Sequence, residues 1–135
     1  MIEEIKIFEP TNEYESTLEY ESTLKQKSFK FSVRIANFYK ITLQRDKSFE
    51  PLYKQALRSG TSIAANIYEA QSASSKNDFI NKFNISLKES RETEYWLQLL
   101  KEIDIINRNE YQSLKTDLDE IIKMLVSSLK TLKGI

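Results

Sequence analysis

The chain contains no cysteine and no histidine among its 135 residues, and it has only two glycines and two prolines. Without cysteine it forms no disulfide and offers no thiolate to a metal. Without histidine it lacks the commonest general base and the commonest transition-metal ligand. So few turn-forming residues argue against many short strands, which need frequent turns. The composition therefore favours a single domain built from a few long helices.

Long apolar runs are missing as well. None approaches the roughly 20 residues that a membrane-spanning helix requires. The N-terminal residues Met1-Ile2-Glu3-Glu4 lack the basic start and apolar core of a signal peptide. We therefore expect a soluble, cytoplasmic protein without a membrane partner.

The formal net charge is zero, but the charge is unevenly distributed along the chain. Residues 1–24 carry seven Glu and one Lys, a balance of −6, and residues 25–135 carry +6. The hexapeptide 13–18 is repeated without change as 19–24, a period that does not fit a helix. We predict that residues 1–24 form a weakly ordered acidic extension and that residues 25–135 form the folded domain.

Apolar residues at helical spacing predict four amphipathic helices, over about residues 26–44, 49–73, 75–103 and 107–133. The connections between them are short, which implies that neighbouring helices are antiparallel. The predicted fold is therefore an all-α, up-down-up-down four-helix bundle with an N-terminal extension. Predicted core stripes include Phe31, Ile35, Phe38 and Thr42 in the first helix, and Tyr111, Leu114, Leu118, Ile121, Leu125, Ser128 and Leu132 in the fourth.

Capping residues set the predicted helix boundaries. Ser48, Ser75 and Asn107 stand where N-caps of the second, third and fourth helices are expected. Gly134 stands where a glycine commonly ends a helix.

The segment Leu57–Ala70 is the most distinctive part of the chain, because small and β-branched residues crowd a predicted helix around Gly60. Glycine costs about 1 kcal/mol relative to alanine inside a helix. A helix tolerates that cost where another helix must come close. We therefore predict a tight helix–helix contact at Gly60, Ile63 and Ile67. The segment lacks the Gly-Lys-Ser/Thr ending of a phosphate-binding loop.

The third predicted helix is apolar on two sides. One stripe comprises Phe79, Phe83, Leu87, Ser90, Leu97 and Leu100, and the other comprises Ile85, Glu89, Glu92, Trp96, Leu99 and Ile103. Because a monomeric bundle needs one apolar face per helix, the second stripe suggests a partner subunit. The alternative is that the wide stripe contacts two helices of its own bundle. We expect Trp96 in a helix contact rather than stacked on a nucleotide base.

Glu89 and Glu92 lie three residues apart among apolar residues. Paired carboxylates can support acid–base chemistry or bind metals, but di-iron bundles also use histidine, which the chain lacks. An unpaired buried charge is very costly, so a cationic partner is expected. Arg58 is that partner, since its guanidinium suits carboxylates. We predict a buried structural ion pair, and no catalytic, cofactor or metal site.

Four basic residues near the start of the first helix are the nucleic-acid signal in the sequence: Lys25, Lys27, Lys30 and Arg34. Contacts of such residues to phosphates are salt-sensitive and tolerate any base sequence. The alternative is an ordinary solvated helix face. If the body binds nucleic acid, the acidic extension is expected to compete for the same surface.

The runs Leu57–Ala70, Asp78–Ile80 and Glu92–Leu100 resemble the bacterial four-helix-bundle family encoded in intervening sequences of large-subunit ribosomal RNA genes. The resemblance covers about residues 28–132. It implies an antiparallel four-helix bundle that assembles as a homopentamer, and it implies no enzymatic activity. A related branch is the accessory variability determinant of diversity-generating retroelements, which is strongly basic and binds reverse transcriptase and template RNA. This chain departs from that branch because it is neutral overall.

Two functions are therefore expected from different classes. The first is a non-enzymatic, oligomeric structural or interaction module whose partner is another copy of itself. The alternative is a nucleic-acid-binding accessory protein, similar to the accessory variability determinant, that binds RNA or DNA.

Overall fold

The computed structural model describes residues 20–134 as four long helices. These are α1 (Tyr20–Arg45), α2 (Glu50–Ala70), α3 (Lys76–Glu102) and α4 (Arg108–Lys133), and a 3₁₀ turn (Lys47–Phe49) precedes α2. No strand occurs within the described residues, so the all-α, four-helix prediction is confirmed. The prediction of a weakly ordered extension falls largely on residues 1–19, which lie outside the described part of the chain.

Neighbouring helices run in opposite directions, because residue numbers that rise along one helix pair with numbers that fall along the next. The contacts that show this are Lys25–Tyr68 and Tyr39–Glu50 between α1 and α2, Arg58–Glu92 and Glu69–Lys82 between α2 and α3, Glu94–Lys115 and Lys101–Tyr111 between α3 and α4, and Lys27–Glu120 and Arg34–Asp117 between α1 and α4. Each of these four neighbouring pairs of helices is therefore antiparallel.

The core follows the predicted stripes closely in α1, where Phe31, Ile35, Phe38 and Thr42 are all buried. In α4 the stripe is buried from Tyr111 to Leu125, but it continues through Leu129 instead of Ser128 and Leu132. The reason is geometric: a straight helix has 3.6 residues per turn, so a seven-residue pattern drifts around it.

The helix ends follow two of the three predicted N-caps. Ser75 accepts a hydrogen bond from the Asp78 N–H, and Asn107 forms a capping box with Glu110. The prediction for Ser48 was wrong, because Asp46 accepts the Ser48 N–H and caps the 3₁₀ turn that precedes α2. Gly134 ends α4 in the left-handed conformation, with φ of 73°.

The predicted boundary between extension and domain was placed too late. Residues 20–24 belong to α1, although they were assigned to the weakly ordered extension. Leu24 is 2% exposed and is part of the core, so burial of its side chain favours helix at this position.

Candidate interaction surface

At Gly60, α2 packs tightly against the Ile35 side chain of α1. A Cβ atom placed on Gly60 would lie 2.9 Å from both Cγ1 and Cγ2 of Ile35. That distance is shorter than a carbon–carbon contact of about 3.5–4.0 Å. Ile63 and Ile67 are also buried in the core. The absence of a side chain at Gly60 is what gives the Ile35 side chain its space.

The contact between α2 and α3 is made by small polar side chains. Thr93 Oγ1 donates a hydrogen bond to Ser59 Oγ at 2.9 Å, and Ser86 Oγ donates to the Ile63 carbonyl at 2.9 Å. Ser59, Ser86 and Thr93 are fully buried. Small residues therefore allow close approach while their hydroxyl groups keep partners, as buried polar groups require.

Arg58 joins the two predicted carboxylates at the edge of this contact. Its Nη1 lies 3.2 Å from Glu89 Oε2, and its Nη2 pairs with Glu92. Trp96 Nε1 donates to the same Glu92 oxygen at 2.9 Å. The structure thus brings together the three predicted ion-pair residues, Arg58, Glu89 and Glu92, and Trp96 joins their network through Glu92.

The predicted burial of this ion pair was wrong, because the Arg58 side chain is 49% exposed. The neighbouring residue Ser59 points into the close contact between α2 and α3, whereas Arg58 lies on its outer edge. A long, charged side chain is excluded from a gap closed by Ser59 and Thr93. The guanidinium therefore reaches over the surface of α3 instead of into the core.

The second apolar stripe of α3 is half-buried along its whole length, including Trp96. Trp96 and Ile103 pack against the core of their own bundle. Tyr95 is 57% exposed and contacts the Trp96 ring edge-on, with centroids 4.8 Å apart. The bundle therefore covers part of this stripe and leaves Tyr95 at the surface.

The four basic residues predicted to contact nucleic acid are all partly or fully buried. Arg34 pairs with Asp117 and donates to Ser113 Oγ at 2.8 Å. Lys27 Nζ lies 2.8 Å from Glu120 Oε1, and Lys25 Nζ lies 4.5 Å from the centre of the Tyr68 ring. Lys30, also in α1, is half-buried. All four residues lie along α1, where Lys25 contacts α2, and Lys27 and Arg34 contact α4.

Burial dominates the electrostatics of the Arg34–Asp117 pair. It lowers the pKa of Arg34 and raises the pKa of Asp117, although each partner favours the charged form of the other. The Arg45–Glu110 pair behaves differently. Burial raises the pKa of Glu110, but hydrogen bonds from Arg45 and from the Asn107 N–H outweigh it and lower the pKa overall.

An exposed apolar patch lies on the outer side of α1 and α2, and sequence reasoning did not find it. It consists of Phe29, Val33 and Tyr68, which are 53%, 46% and 41% exposed. The Phe29 and Tyr68 rings lie 6.3 Å apart. The signal in the sequence is that Phe29 and Val33 are four residues apart, outside the core stripe of Phe31 and Ile35. We call these three residues the α1–α2 patch.

No group of three or more acidic side chains in residues 20–134 is placed to hold a metal ion. Nor does any helix in that range have the length and apolarity needed to cross a membrane.

The fold and the α1–α2 patch together define an all-α four-helix protein with a small exposed apolar patch. The model of the 23S rRNA-intervening sequence protein family matches residues 20–127. The chain therefore belongs to this family, which confirms the resemblance seen in the sequence. No curated protein is significantly similar to it.

A solved structure supports the same assignment. It is the 1.70 Å crystal structure of a protein of unknown function from the S23 ribosomal protein family of Bacteroides thetaiotaomicron VPI-5482. The two chains are 51% identical and superpose with a TM-score of 0.80. The match covers 83% of this chain and 99% of the other.

Proposed function

We propose that the protein is a non-enzymatic module that associates with copies of itself through the α1–α2 patch. The exposure of Phe29, Val33 and Tyr68 is the observation that carries this proposal. Contiguous apolar surface on a small soluble protein commonly marks an interaction site. A homopentamer is the assembly that the family resemblance implies.

The use of the ionisable side chains supports a structural role. Arg34 and Asp117 join α1 to α4, and Tyr39 donates to Glu50 at 2.6 Å across the turn between α1 and α2. These are among the groups whose pKa values are displaced. Displaced pKa values in a cleft often indicate catalysis, whereas these groups hold helices together.

A matched pair of substitutions tests the proposal. Phe29→Glu places a charge in the α1–α2 patch, and Phe49→Glu makes the same change at a phenylalanine in the 3₁₀ turn that is 39% exposed. We expect light scattering to show a multiple of 15.9 kDa for the wild type and for Phe49→Glu. Phe29→Glu is expected to shift towards the monomer while its circular dichroism stays helical. Equal masses for both variants would overturn the role of the patch.

The second function is a nucleic-acid-binding accessory protein, similar to the accessory variability determinant. The balance of +6 in residues 25–135 favours it. The contacts of Lys25, Lys27 and Arg34 within the bundle weigh against it, because those charges already have partners.

Removal of residues 1–19 tests the second function and leaves the buried Leu24 in place. If the body binds RNA, truncation should raise RNA affinity, and the gain should shrink as salt screens the charges. An RNA titration of both proteins at two salt concentrations measures this. Equal, negligible binding by both would reject masking by the acidic extension and favour self-association.

A further inference from the structure

An apolar cleft of about 270 Å³ opens at one end of the bundle, where all four helices meet. Leu24, Ile67 and Phe83 form its buried inner wall. Gln71 and Thr131 are exposed at its mouth. A cavity of about 150 Å³ lined by apolar side chains holds a benzene ring. This cleft therefore has room for an aromatic ring and a branched aliphatic side chain.

The chain itself enters the bundle beside this cleft. α1 begins at Tyr20, and Leu24, one helical turn later, lines the inner wall. Eleven residues lie between Phe8 and Tyr20, and the twelve Cα-to-Cα steps span at most about 40 Å. Residues 1–8 are thus within reach of the whole mouth of the cleft.

The first eight residues have the composition that such a cleft would accept. Five of them are apolar: Met1, Ile2, Ile5, Ile7 and Phe8. Glu3, Glu4 and Glu9 are interspersed with them or follow them directly, and with Lys6 they give residues 1–9 a side-chain charge of −2.

The surroundings of the mouth are complementary in charge. Lys130 and Lys133 are exposed on either side of Thr131 and Leu132, two residues that line the cleft. Lys76 is exposed three residues before Phe79, which also lines it. Opposite charges around an apolar contact favour the correct partner and its orientation.

We propose that residues 1–8 of the same chain dock in this cleft, with Ile5 and Phe8 against its apolar wall and the neighbouring glutamates towards the lysines. The family match begins at residue 20, so the proposed contact would be an addition to the shared bundle. The proposal does not rest on self-association.

The absence of cysteine allows a direct test by disulfide formation in the full chain. One variant combines Glu9→Cys with Thr131→Cys at the mouth of the cleft. Its matched control combines Glu9→Cys with Thr116→Cys, another exposed threonine of α4, about 22 Å away along the helix. Docking predicts that the intramolecular disulfide to position 131 forms at least about tenfold faster, because docking raises the effective concentration.

A second control separates docking from simple closeness in the chain. Ile5→Gln and Phe8→Gln, added to the Glu9→Cys/Thr131→Cys variant, keep the chain length and remove the apolar side chains. We expect the disulfide to form about tenfold more slowly, with unchanged helical circular dichroism. An unchanged rate would overturn the proposal. So would disulfides formed mainly between molecules at micromolar concentration, since the cleft would then hold the segment of a second copy.

Discussion

The contact between α1 and α4 and the contact between α2 and α3 are built on opposite principles. Between α1 and α4, the Arg34 and Asp117 side chains are 6% and 19% exposed, so charges are held inside. Between α2 and α3, Ser59 and Thr93 close the gap, and the charge of Arg58 lies at the surface. The size of the side chains that fill a helix–helix gap thus decides whether charges lie within it or outside it.

This comparison explains why basic residues alone are poor indicators of a ligand. Arg34 and Arg58 are both positive residues on predicted helices. In the structure the Arg34 guanidinium pairs with Asp117 and donates a hydrogen bond to Ser113 Oγ. Removing the partner of a buried charge is costly, whereas exposed pairs contribute little.

The largest expected effect is that of Arg34→Ala. It leaves Asp117 without its buried partner, and breaking such a pair costs about 3–5 kcal/mol. Chemical denaturation measures the loss in the free energy of unfolding. Arg91→Ala, at an exposed arginine of α3, is the control and should change little. A loss below about 1 kcal/mol for Arg34→Ala would contradict the account.

Gly60→Leu is expected to destabilise by about 1–3 kcal/mol, because the new side chain would collide with Ile35. The substitution improves helix propensity by about 1 kcal/mol, so the packing loss must exceed that gain. Ala65→Leu, at an exposed position of the same helix, is the matched control. Thermal denaturation compares them. A more stable Gly60→Leu protein would show that α1 and α2 are not tightly packed here.

Arg58→Ala is expected to cost only about 0.2–1 kcal/mol, the usual value of an exposed ion pair. The Arg58 side chain is 49% exposed, so the larger loss expected for a buried pair does not apply. The Trp96 hydrogen bond to Glu92 should persist. Denaturation of this variant beside Arg34→Ala gives the comparison directly, and equal losses would erase the distinction between the two contacts.

The smallest expected effect is on the loss of stability at acidic pH, to which Glu110 contributes. The pKa of Glu110 is lowered from its ordinary 4.5 in the folded protein, so its contribution to stability is present above that value. It is lost as the pH falls through the lowered folded-state pKa. Glu110→Gln should therefore flatten the decline in stability below about pH 4.5, as denaturation at several pH values would show. Glu102→Gln, at an exposed residue, is the control. Identical pH profiles would remove Glu110 from the acid response.

Sequence periodicity predicted the helices well because each helix has one apolar stripe that faces a core shared by all four. The pairing of Arg58 with Glu89 and Glu92 also followed from residue type and spacing. The exposure of Arg58 could not be predicted in this way. It depends on the distance between α2 and α3, which is set where Ser59 contacts Thr93. Such a contact joins residues distant in sequence.

The boundary of α1 and the α1–α2 patch were missed for related reasons. Leu24 belongs to a repeated hexapeptide whose period does not fit a helix, so the sequence pattern did not mark it as a core residue, although it is buried in the structure. Phe29 and Tyr68 come together only when α1 and α2 pack side by side. The spacing of Phe29 and Val33 indicates a shared helix face, but it does not show that Tyr68 lies beside that face.

Sedimentation velocity of the full chain, alone and with labelled RNA at low salt, tests self-association most directly. The account predicts a protein species whose mass is a multiple of 15.9 kDa, with an RNA boundary that the protein does not shift. A monomer of 15.9 kDa that sediments together with the RNA would contradict it.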